Sequence, residues 1–330
     1  MRTITILFMY LSFSLFSAAQ TYKVDVSRAI SKEIPMSHIM NDMKVIDIKL
    51  PDSLQLKDVV VELTHDGEYL IVSSPYEGPY MFDVKGNFIK TIKPTSVDCK
   101  QSEVKYLNSH FNAKKNIFYE DFFDHWIGID VRTNKIVERK HKPEQFKNRL
   151  TSFMQISDNE YIGYSNDTTG GYESYLAFFD SCGQILHQEP NLEPYTYGSK
   201  YPRGPFCENN SRYYFVDPYL GTKIYEITGR KLLPYIYFET RNVIPDNDKL
   251  SYVVETEDRI YFSFSAKDNP YWGYYNKNEN QAYIASNSGR AIASKHLDKE
   301  NFFPSFVQGR QTVTSGIEGN MLKVIIGTLK

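Results

Sequence analysis

One hairpin recurs along this chain at a nearly constant interval, and the recurrence limits the fold more than any other feature. Its clearest copy lies in Tyr69–Lys93, YLIVSSPYEGPYMFDVKGNFIKTIK. Tyr69, Ile71 and Ser73 alternate with Leu70, Val72 and Ser74 in a β-rich run bounded by Ser-Pro. Tyr80, Met81, Phe82 and Val84 form a second run, the residues from Asp83 to Asn87 turn it, and Phe88, Ile89 and Ile92 make a third. Glycine accepts a positive φ and aspartate caps a turn through its carboxylate, so Asp and Gly at this spacing suit a hairpin. The turn residue recurs as Asp83, Asp130, Asp180, Glu226 and Asn276, in steps of 47, 50, 46 and 50 residues. A further strand precedes each hairpin, at Tyr69–Ser73, Asn116–Tyr119, Glu160–Tyr164, Arg212–Val216 and Arg259–Phe264.

A period of about 48 residues with four strands per unit is the signature of a β-propeller. A four-stranded sheet buries its faces only against neighbouring sheets, so the units close into a ring. Five units are complete. One more step of about 48 residues reaches Met321–Lys330, MLKVIIGTLK, preceded by the strand-like Thr312–Ile317. That sixth unit ends before its outer strand. Lys44–Leu50, KVIDIKL, alternates cleanly and supplies the missing strand, which removes the edge an open ring would expose. The expectation is an all-β, six-bladed propeller of four-stranded antiparallel blades over residues 44–330. Residues 20–43 are weakly patterned and read as a leader lying over it.

The aromatic-Asp-x-x-Gly hairpin of Tyr69–Lys93 resembles the six-bladed propellers exported by Gram-negative bacteria, relatives of the NHL-type propellers. The blade pattern covers nearly the whole chain after residue 43. Members carry a Gly-Pro-x-Glu-Tyr sequence after the first blade, of which residues 93–106 keep Glu103 and Tyr106. The resemblance implies a fold and a compartment rather than an activity.

Export is also expected from residues 1–19, MRTITILFMYLSFSLFSAA: one Arg, an apolar run from Ile4 to Phe16, and small residues ahead of a cleavage before Gln20. A membrane anchor is the alternative, but the run is shorter than the roughly 20 residues that span a bilayer. No Cys follows to carry a lipobox anchor, so the periplasm or the extracellular space is expected. Cys99, Cys182 and Cys207 are too few for a disulfide scaffold. With a net charge of −2 and no block of like charges, the electrostatic footprint of a nucleic-acid binder is missing.

Propeller sites are built from the loops joining the second strand to the third and one blade to the next, and loops on a rigid scaffold carry function. Three clusters fall there. Glu120, Asp121, Asp124, His125 and Trp126 are the densest polar-aromatic group, able to hold a hard cation, act as acid and base, or simply pack between blades. Tyr271 and Trp272 follow a turn and offer faces for a sugar ring or an apolar ligand. Tyr195, Tyr197, Lys200, Tyr201 and Arg203 lie on the Pro-bounded connection 190–205, where aromatic and basic groups suit an anionic glycan or an acidic peptide. Asp167 and Asp217, on other loops, could converge with Glu120, Asp121 and Asp124 on a calcium ion. No histidine pair has zinc spacing, and no P-loop, GxSxG, GxGxxG or sialidase box is present.

Three functions follow as expectations. The first is an exported protein, with no cofactor, that binds a glycan, a peptide or an envelope protein through its loop face. The alternative is a cation-dependent hydrolase or lactonase using the loop carboxylates and Ca2+. A structural component of the envelope is a third, and it would bury a flat apolar patch.

Overall fold

The computed structural model describes residues 21–50, 59–74, 77–93, 109–122, 124–144, 150–165, 175–189, 206–209, 211–216, 223–240, 250–266, 269–286, 306–308, 311–318 and 320–330. Strands with apolar residues on both faces need a neighbour on each side, and that requirement organises the chain. Blades 1 to 5 occupy residues 60–91, 110–141, 150–189, 206–239 and 250–285. Blade 6 combines Phe306–Gln308, Gln311–Glu318 and Met321–Leu329 with Met40–Lys49. The fold is an all-β six-bladed propeller, and no α-helix occurs among the described residues.

Six apolar clusters fill the six seams of the ring. Leu70 and Val72 face Val313 and Val324 of blade 6, while Ile71, between them, faces Phe118 and Ile127 of blade 2. Tyr119 and Trp126 meet Phe153 and Phe179 across the next seam, and Phe178 meets Phe215 across the one after. Phe238 packs on Phe262, and Tyr274 on Leu329, to complete the circle. Alternate residues of each middle strand therefore serve different seams. Each fully buried Phe contributes about 2–3 kcal/mol, which is why the aromatic load sits on these strands.

The ring closes as the sequence suggests. Met40–Lys49 pairs antiparallel with Met321–Leu329, in a register from Leu329 opposite Met40 to Met321 opposite Lys49. The strand begins earlier than Lys44. Its predecessors, read as a leader over the fold, are woven into it instead: Tyr22–Asp25 adds a fifth, parallel strand to blade 4 and Ile30–Lys32 does the same for blade 5. Val24 enters the seam between blades 4 and 5. Tyr22 packs edge-on against Tyr235 and Tyr275, with the Lys277 ammonium 5.1 Å from its ring centre. Below it, Glu255 accepts hydrogen bonds from the Tyr235 hydroxyl at 2.6 Å and the Lys277 ammonium at 2.5 Å. Burial, and then the Glu255 charge, push the Tyr235 phenol pKa up.

The recurring turn also has a common chemistry. Asp83 Oδ1 accepts from the backbone N–H of Lys85 and of Asn87, both at 2.9 Å. Asp130 caps Arg132 and Thr133, Asp180 caps Cys182 and Gln184, and Asn276 caps Asn278 and Glu279 in the same way. Glu226 does not. Its longer side chain instead takes both arms of the Arg212 guanidinium, at 2.8 and 2.6 Å, and the turn tightens around Gly229 at φ 58.

Candidate functional site

Antiparallel blades put two kinds of connection at opposite ends of the ring. Turns between first and second strands, and between third and fourth, share one end, and the longest of them are residues 64–68 and 131–135. Connections between second and third strands, and from blade to blade, share the other. These include residues 92–109, 166–174, 190–205, 240–249 and 286–305. Long connections thus gather at a single end.

At that end, blade 2 holds the acidic cluster. Ile117–Asp121 pairs with His125–Asp130, with Asp121 opposite Trp126 and Glu120 opposite Ile127. The tight reversal is held by Phe122 N–H donating to His125 O at 3.0 Å, and by Lys142 N–H donating to Asp124 O at 2.9 Å. Side chains alternate along a strand. Asp121 therefore shares the face of Tyr119, toward blade 3, and Glu120 shares the face of Phe118, toward blade 1.

The two carboxylates have different fates. Asp121 Oδ1 lies 2.7 Å from Lys142 Nζ, and the two side chains are only 1% and 2% exposed. The same ammonium sits 5.2 Å from the centre of the Trp126 ring. A cation bound at Asp121 would have to displace Lys142, so the donor set around Asp121 fits calcium poorly. Glu120 is 3% exposed, and its Oε2 has no hydrogen-bond partner among the described residues. Burial alone lifts its pKa to about 7, which keeps the acid protonated below neutrality. Asp124, half-exposed, holds the His125 Nδ1 at 2.6 Å, and the imidazole stacks on Phe122.

The remaining expected site residues divide between seams and undescribed connections. Trp126 is buried against Phe153 and Phe179, and Trp272 against the residues of the blade 5 and 6 seam, so both indoles serve packing. Tyr271 stands on Asn269–Asn276, and its side chain is outside the described set. Tyr195, Tyr197, Lys200, Tyr201, Arg203, Asp167 and Asp217 lie outside the described residues, as do residues 1–20 and Cys99. Among the described residues, Cys182 and Cys207 form no disulfide. Among the described residues no three His, Cys, Asp or Glu groups come together as a metal site, and no helix is long and apolar enough to cross a membrane.

Sequence reasoning missed Lys142, which answers Asp121 from the far side of the blade. Only its place at the end of the outer strand hints at the pairing. It also missed Lys114, in the turn after His110–Asn112, which pairs with Glu208 of blade 4 and lies 5.8 Å from the centre of the Tyr213 ring. Blades 2 and 4 are not neighbours, so this contact is a strut across the turn end of the ring.

The fold agrees with solved structures. A Bacteroides fragilis protein named for its inferred export superposes with a TM-score of 0.62 at 15% identity, covering 94% of this chain and 99% of that one. A Bacteroides vulgatus member of the DUF4221 family superposes with a TM-score of 0.51 at 12% identity, covering 87% and 96%. No protein-family model matches the sequence, and no curated protein does. Likeness at this identity establishes one thing, a six-bladed propeller shared with proteins of Bacteroides.

Proposed function

We propose that this chain is an exported binding protein, related to the NHL-type propellers, that takes a glycan, a peptide or a protein partner at the long-connection end of its ring. It works in the periplasm or outside the cell, without a lipid anchor. The observation that carries this reading is the asymmetry of the ring, whose long connections share one end. The Lys114–Glu208 strut crosses the opposite, turn end of the ring. Loops on a rigid scaffold place recognition groups at little cost to the core. The connection 190–205 brings Tyr195, Tyr197, Lys200, Tyr201 and Arg203, a set suited to stacking on sugars and pairing with carboxylates. Tyr271 stands beside a shorter connection of that end.

The test is a thermal-shift screen of the mature protein against glycans, peptides and divalent cations. Stabilisation by an organic ligand, lost in Tyr197→Ala and Arg203→Ala, is the expected result. A shift with calcium alone, lost in Asp217→Asn, would overturn the reading in favour of a cation-dependent hydrolase. No shift with any class would favour an envelope scaffold.

A further inference from the structure

The outer edge of a blade is a row of backbone donors and acceptors open to another strand. In blades 4 and 5 this chain lays a strand of its own on that row, parallel in both cases. The added strand of blade 4 sends Val24 into the seam, and its Lys23 ammonium reaches Glu239 of the blade at 2.9 Å. Blades 1, 2 and 3 end on Phe88–Thr91, Ile136–His141 and Ile185–Glu189, each hydrogen-bonded on one side only among the described residues. Of the exposed large apolar side chains among the described residues, Phe88, Ile89 and Val137 stand on these open strands.

We propose that the outer edge of blade 2, Ile136–His141, accepts an extended acidic segment of a partner protein as a fifth, parallel strand. Lys135, Val137, Arg139 and His141 are exposed along this edge; the ladder bulges at Val137, between Ile136 opposite Ile129 and Glu138 opposite Gly128, and beyond the bulge Arg139 and His141 share one face. Val137, 51% exposed, is the apolar centre of a cationic row. The one acid of the strand, Glu138, turns the other way, where it accepts from the Tyr119 hydroxyl at 2.5 Å and pairs with Lys140 at 3.0 Å and Lys115 at 3.4 Å. In blade 4 the ring supplies the acid and the added strand supplies the cation. In blade 2 the signs are reversed, and the complementary strand carries acids beside Arg139 and Lys135. The same cations repel a basic strand that would otherwise add there, so the edge is guarded and selective at once. Blade 1 offers a shorter edge, and blade 3 carries no comparable cationic row.

The experiment uses the mature protein and two labelled eight-residue peptides in fluorescence anisotropy. One alternates Asp or Glu with Val or Tyr, and the other has Lys in place of each acid. The acidic peptide is expected to bind at least tenfold more tightly, with the preference reversed in the Lys135→Glu, Arg139→Glu double variant. Hydrogen exchange should slow at the amides of residues 136–141 when the acidic peptide is added. Equal binding of both peptides, binding of neither, or a preference unchanged by the double variant overturns the proposal. So does sedimentation showing that a second copy of the chain already covers this edge.

Discussion

Replacing Glu120 by glutamine should make the protein more stable at alkaline pH while leaving it nearly unchanged in acid. The carboxyl is buried on the blade 1 face of Ile117–Asp121, and its pKa is raised from 4.5 to about 7 by desolvation. Between those two values the folded chain holds a proton that the unfolded chain has released. Stability therefore falls as pH rises through this window, and the loss is complete above neutrality. At about 1.4 kcal/mol per unit, the penalty at pH 8 is about 3 kcal/mol. Glu120→Gln has nearly the same shape and no charge to desolvate. Denaturant unfolding of both proteins at acidic and alkaline pH gives the difference directly. The variant should gain about 3 kcal/mol over the parent between the two conditions. A variant-minus-parent difference that is the same at both pH values would refute the reasoning, because Glu120 would then be ionised with a partner in the fold.

Two further outcomes follow from the same region and from the turns. Lys142→Met leaves Asp121 charged and buried without its ammonium, which should cost about 3–5 kcal/mol in denaturant unfolding, and adding Asp121→Leu should recover most of it. Gly229→Ala should cost only the left-handed backbone penalty of about 1–2 kcal/mol, since nothing lies within 4 Å of its added Cβ. Gly86→Ala should cost clearly more by the same assay, because its φ is +89° and the Cβ would stand 2.5 Å from the Asp47 carbonyl oxygen of blade 6.

The ring was legible because blade physics repeats: two buried faces per strand and an Asx-capped turn leave a period in the sequence. Even the closing strand showed, since Lys44–Leu50 alternates as an outer strand must. Tyr22–Asp25 and Ile30–Lys32 did not show, because a short parallel strand on an outer edge buries alternate residues over too few positions to make a pattern. The acidic cluster was visible as a cluster, but its chemistry was not. Glu120 and Asp121 are adjacent in sequence and point into different seams, and the residue that decides Asp121, Lys142, lies just past the outer strand of the same blade. Trp126 and Trp272 looked like contact residues because both sit near turns, yet the indoles fold back between blades. Nearness to a turn says little about which way a strand residue points.

The N-terminal strands also set an order of events. Tyr22 meets Ile236, Ile30 meets Tyr283 and Lys49 meets Met321, so the first-made segment finds its partners only after the last blades exist. Contacts so distant in sequence are slow to form. A chain emerging vectorially, from a ribosome or through a membrane, must keep Tyr22–Asp25 unpaired until residue 239 is free and Met40–Lys49 unpaired until residue 329 is. Blades 4, 5 and 6 are thus fastened by one belt whose buckle shuts only once Met321–Leu329 is in place, and a cut in residues 50–59 would turn that belt into a separate peptide held without a covalent bond. The ring could then be opened and closed by adding that peptide in solution.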